Sequence, residues 1–136
     1  MENEKDARLA ARNVKTVWVK YLLIVLIAEK IIQHTIVTIA FYFNWAGIRS
    51  TVAVNPSILM FLGAAVAILF MLSFWGMLTR QKRMTKLVIA LALFDIIGEF
   101  AAQGKAGITI TMSFLVAAIL LILTSLYRQQ ELKEKI

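Results

Sequence analysis

The sequence contains no cysteine, which excludes disulfides, thiolate catalysis, iron–sulfur clusters and cysteine-ligated zinc. It has one histidine, His34, so no bis-histidine haem or multi-histidine metal centre can be built within one chain. No metal and no cofactor are expected. Its single proline, Pro56, leaves long stretches with nothing to break a helix. There is no phosphate-binding loop, no dinucleotide fingerprint, no Ser/His/Asp set and no His-Glu-x-x-His. An enzyme is therefore the less favoured class. The first sixteen residues are polar and of mixed charge, which predicts no cleavable signal peptide.

What is present is hydrocarbon. Hydrophobic residues make up 60% of the 136, against about 45–50% in a soluble domain. A helix needs about 20 apolar residues to cross a bilayer, and four such runs fill the chain. The expectation is an all-α integral membrane protein, a four-transmembrane-helix bundle occupying residues 1–136 as a single domain. The spans are placed at about 17–43, 57–78, 87–103 and 107–127. Residues 1–16 read as a short interfacial or frayed helix, or a solvated tail.

The net charge of +7 resembles a nucleic-acid signal, but its placement argues against one. Twelve of the fifteen basic residues lie in the N-terminal segment, the loop Arg80–Lys86 and the C-terminal tail. Arg49 and Lys105 are alone in the other two loops. This is the positive-inside pattern. It predicts cytoplasmic termini, a plasma (inner) membrane location and anionic headgroups as the basic residues' partners. Nucleic acid is not an expected partner.

Local signals mark the ends of the spans. Trp18 and Tyr21 suit one membrane interface, Tyr42 and Trp45 the other. Gly47 is the expected C-cap of the first span, followed by an extended outer loop at 48–54. Asn55 is placed to cap the second span, with Pro56 in its first turn. Gly63 and Ala67 form a small face suited to close helix approach. Thr109 and Ser113 read as back-bonded hydroxyls, with the lining of a polar vestibule as the alternative.

The run "AEKIIQHTIVT", residues 28–38, carries Glu29, Lys30, Gln33 and His34 inside the first span. The third span carries Asp95 and Glu99. Lys30–His34–Thr38 and Asp95–Glu99–Gln103 are stripes at i, i+4, i+8, each on one helix face. In parallel spans the two stripes share a depth. A charge at the bilayer centre costs on the order of 3 kcal/mol or more, so these groups must face each other or water. The expected pairs are Lys30 with Asp95 and His34 with Glu99, with spans one and three face to face. Glu29 and Gln33 widen the first stripe.

The expected binding residues are thus Glu29, Lys30, Gln33, His34, Asp95, Glu99 and Gln103. One histidine among carboxylates makes the set proton-sensitive. The leading expectation is a small transporter or proton/cation pathway, with a proton, small cation or polar solute as cargo. One alternative is an accessory or scaffold subunit with structural ion pairs, partnered by a second copy or another membrane subunit. The other is an intramembrane acid–base enzyme acting on a lipid.

Overall fold

The computed structural model describes residues 2–103 and 112–133. They form four long helices: α1 (Glu2–Phe43), α2 (Pro56–Leu78), α3 (Met84–Gln103) and α4 (Met112–Lys133). A 3-10 helix, Trp45–Ser50, links α1 to α2, and no strand occurs among the described residues. α1, α2 and α4 are long and apolar enough to cross a membrane. α3 has 20 residues and carries Lys86, Asp95 and Glu99.

The four helices pack in a ring. α1 lies against α2 and α4, and α3 completes the circle between α2 and α4. α1 and α3 are therefore diagonal, and their expected face-to-face packing does not occur. They run in the same direction, because the Ala53 N–H on the outgoing loop of α1 donates to the Ala102 carbonyl near the end of α3 (2.9 Å). α4 runs opposite to α1. Its Ser113 meets Lys30, and its Gln130 accepts from the Thr16 hydroxyl at 3.5 Å.

Each helix turns a stripe of 3–4 spacing inward. On α1 it is Leu23, Ile27, Lys30, His34 and Phe41; on α2, Val66, Phe70, Ser73 and Met77; on α3, Val88, Leu91 and Asp95; on α4, Ala117, Leu120 and Thr124. Many of the large apolar residues outside these stripes are exposed. Trp18, Phe61 and Ile97 are 71, 70 and 65% exposed, while Lys30 is 0% exposed and Asp95 8%. A soluble protein has the opposite arrangement. Lipid tails are as apolar as leucine, so packing and polar contacts, rather than hydrophobic burial, must hold such helices together.

Close packing is visible on both sides of α2. A Cβ at Gly63 would stand 2.9 Å from the Thr38 hydroxyl of α1, so glycine there permits the approach. Ala67 is buried one turn on. At the far end, a Cβ at Gly76 would collide with the Met84 side chain, so the α2–α3 hairpin closes on a second glycine. The Asn55 side chain accepts from the Ser57 N–H (2.9 Å) and Pro56 opens α2, as their residue types require.

Three local expectations are corrected. Residues 2–16 are not a separate helix, although residues 3–15 are exposed as a solvated segment would be. They continue the first span, giving 42 residues and a length of about 63 Å at 1.5 Å per residue. Gly47 is not the cap of α1. Asn44 takes the left-handed conformation (φ 52°) directly after Phe43, and Gly47 (φ 71°) turns the chain again within the 3-10 segment. Asparagine tolerates that conformation better than most residues. The outer loop is correspondingly not extended from residue 48. Arg49 folds back instead, donating from Nε to the Phe41 carbonyl and from a terminal nitrogen to that of Tyr42, both at 2.7 Å. A cation on the last carbonyls of a helix satisfies orphan acceptors and opposes the negative end of its dipole. The expected start of the fourth span at 107, with Lys105 and Thr109, lies outside the described residues.

Candidate functional site

Across the diagonal between α1 and α3, two charged side chains meet in the middle of the ring. Lys30 extends from α1 and Asp95 from α3. Lys30 Nζ lies 2.6 Å from Asp95 Oδ2. Nζ also donates to Gln33 Oε1 (2.8 Å), to the Ser113 carbonyl (2.8 Å) and to Ser113 Oγ (3.1 Å). The ammonium thus has a counter-charge and three oxygen acceptors contributed by two helices. That set of partners is what makes a fully buried lysine tolerable.

Asp95 has a second partner. His34 Nε2 lies 3.2 Å from its Oδ1. His34 is one turn beyond Lys30 on α1, so one carboxylate spans two groups of one stripe. The imidazole stacks on Phe70 of α2, with centroids 5.7 Å apart and planes 22° apart. The expected partner of His34 was Glu99, and the ion-pair contact goes to Asp95 instead. The reason is depth: α3 sets Asp95 between the levels of Lys30 and His34, within reach of both.

Glu99 lines the space beside this cluster. A cavity of about 430 Å³ opens beside the cluster, lined by residues of all four helices and the outer loop. Its polar lining includes Gln33, His34, Thr51, Asp95, Glu99 and Ser113. Its other walls are mainly apolar, among them Val37, Phe41, Leu62, Val66 and Phe94. Ile48 and Val52 border it from the loop that Arg49 anchors. Lys30 is not part of the lining, because it sits behind Asp95.

Two expected residues lie elsewhere or beyond description. Glu29 does not join the cluster. It borders a groove on α1 with Val25, Ala28, Ile32 and Ile36, and its Oε2 is buried without a hydrogen-bond partner. Glu29 and Lys30 are consecutive and so about 100° apart around the helix, and only one of them can point at the centre. The Gln103 side chain lies outside the described residues. Thr38, the third member of the first stripe, turns toward Gly63 rather than the cavity.

Ser113 borders the cavity and both its oxygens accept from Lys30; the carbonyl four residues before it lies outside the described residues. Back-bonding does hold for Ser73, Thr124 and Ser125, each of which donates to the carbonyl four residues earlier. Among the described residues no group of three or more His, Asp or Glu is placed to hold a metal ion.

No protein family, curated protein or solved structure matches this chain.

Proposed function

We propose that the protein is an integral membrane carrier with four spans and cytoplasmic termini, working through a proton-sensitive site made by Lys30, His34, Asp95 and Glu99. α3 is the fourth span, its acids tolerated because they face the centre of the ring. The twelve-to-two distribution of basic residues between the two sets of loops and tails supports the orientation. The cavity then lies toward the outer face.

One observation carries the functional reading. Asp95 holds Lys30 and His34 and is at the same time a wall of the cavity. An ion pair that only locks helices together would be packed on all sides. Here the carboxylate has an ammonium behind it and an open volume in front.

The charge balance suggests how such a site works. Counted over Lys30, His34, Asp95 and Glu99 alone, the formal charge is one negative while His34 is neutral. That charge favours a monovalent cation. Protonation of His34 removes the deficit and with it the attraction. A proton and a cation therefore compete for the same charge, which is the requirement for exchanging one against the other.

Vesicles loaded with a pH-sensitive dye test this. The purified protein is reconstituted, a pH gradient is imposed, and sodium, potassium, choline and phenethylammonium are added in turn outside. At least one should speed collapse of the gradient above the rate in protein-free vesicles, and Asp95→Asn should abolish the increase. If none does so, the carrier reading fails.

A further inference from the structure

We propose that the other end of the bundle holds a binding site for the phosphate of an anionic phospholipid headgroup, with Lys20, Arg80 and Lys82 as its cations. The proposal goes beyond the carrier reading. It takes from that reading only the placement of this end at the cytoplasmic face of a membrane.

The site is a second cavity, of about 310 Å³. Lys20 of α1 borders it, as do Arg80, Gln81 and Lys82 of the turn between α2 and α3, and Glu131 of α4. Three cations from two parts of the chain thus line one space against a single carboxylate. Among the described residues the side chains of Lys20, Arg80 and Lys82 have no hydrogen bond or ion pair, whereas Glu131 has an interaction of its own. Elsewhere Arg8 pairs with Glu4, Lys30 with Asp95, and Arg49 caps α1. Cations gathered without a partner repel one another, and an anion between them turns that repulsion into attraction. Residues that only fix orientation need to lie on the right side of the membrane and need not share a cavity. Arg83 and Lys86 meet that lesser requirement, being exposed and outside the lining.

The backbone at Arg80 points the same way. The Gln81 N–H donates to the Gly76 carbonyl (2.8 Å) and the Arg80 N–H to that of Met77 (3.4 Å). These are the two bonds of a Schellman ending to α2. Arg80 takes its left-handed position, with φ 59°. Glycine is the usual residue there, because a Cβ is strained in that conformation. The chain places an arginine instead, and that arginine borders the cavity. Such strain is characteristic of positions that bind something.

Depth decides the source of the phosphate. Trp18 and Tyr21 of α1 and Trp75 of α2 are exposed at this end of the bundle, and aromatic rings with a polar edge gather at headgroup level. Anions at that level belong to lipids, and basic pockets between helices on the cytoplasmic side suit phosphorylated headgroups. Arginine offers phosphate two parallel donors and lysine a compact charge. The volume is at the lower end of small-molecule sites, roughly 300–1,000 Å³. It fits a headgroup and leaves the acyl chains on the exposed apolar surface outside.

The purified protein in detergent is titrated with phosphatidylglycerol, phosphatidate or phosphatidylcholine of identical chains, and bound lipid is counted by native mass spectrometry. One molecule of either anionic lipid should bind at least about tenfold more tightly than phosphatidylcholine, the worth of one charge-assisted hydrogen bond. Arg80→Gly should remove that preference while the thermal midpoint stays at or above the parent's, since glycine relieves the turn. Lys82→Gln should weaken anionic lipid by a similar factor, and it serves as the second variant should Arg80→Gly fail to fold. Arg83→Gln makes the same change in net charge outside the cavity and should leave binding unaltered. Soluble glycerol 3-phosphate in about a hundredfold excess should not displace the lipid. Equal binding of phosphatidylcholine overturns the proposal, as do equal losses in Arg83→Gln and the cavity variants. Displacement by glycerol 3-phosphate would make a soluble phosphate ester the ligand and overturn the lipid assignment. Selective lipid binding in a protein that moves no cation would overturn the carrier reading and leave this site standing. Flux without lipid selectivity would do the reverse.

Discussion

Replacing Lys30 with methionine should destabilise the protein by about 3–5 kcal/mol, the usual consequence of stranding one partner of a buried ion pair. Methionine keeps most of the stem's length and its apolar contacts, so the loss is electrostatic. Asp95, 8% exposed, would keep only His34 beside it. Gln33 Oε1 and both Ser113 oxygens would lose their shared donor. At 1.4 kcal/mol per factor of ten, a 4 kcal/mol loss lowers the folded-to-unfolded ratio roughly a thousandfold. Adding Asp95→Leu removes the stranded carboxylate. The double variant should return to within about 2 kcal/mol of the parent, the residue being the acceptors on Gln33 and Ser113. The two substitutions would then show a coupling of at least about 2 kcal/mol. Unfolding by SDS in mixed micelles, followed through Trp18, Trp45 and Trp75, gives each free energy. If the double variant is as unstable as the sum of the singles, Lys30 does not compensate Asp95 and the argument for the central cluster collapses. The same variant separates lock from working site. Full flux in the folded double variant would make the pair structural, and lost flux would place it in the site.

Other outcomes follow from single contacts. Gly63→Leu should cost about 1–3 kcal/mol by overpacking, because even a Cβ there would stand 2.9 Å from Thr38 Oγ1. Thr38→Ala should return part of the loss in the same unfolding assay, and no rescue would show that the clash lies elsewhere. Arg49→Ala removes two bonds to the last carbonyls of α1 and should cost about 1–3 kcal/mol. Amide exchange in the last turn of α1 and the 3-10 segment should quicken, and unchanged protection would refute the tether. For topology, a cysteine at Ser50 should react with an impermeant maleimide in intact cells, and one at Gln81 only after permeabilisation. The reverse pattern would invert the proposed orientation.

The sequence by itself determined the features that depend on local chemistry. Helices follow from long apolar runs with one proline. The start of α2 follows from Asn55 and Pro56, whose side chain and ring suit a first helical turn. The meeting of Lys30 and Asp95 follows from depth, since residues at a given distance along parallel helices reach the same level, and two such charges cannot be left in hydrocarbon. Depth, however, says nothing about rotation around the axis or about which helices are neighbours. Only the tertiary structure decided that α1 and α3 sit across the ring from each other, so that they meet through side chains and not along their faces. It decided that Glu29 turns away while Lys30 turns in. It decided that His34 reaches Asp95 and that Ser113 of α4 receives the ammonium. The cavity is also a tertiary fact. It lies where residues of all four helices and a loop anchored by Arg49 leave a gap, bordered by Gly98, and no spacing along one helix can encode the shape left between several.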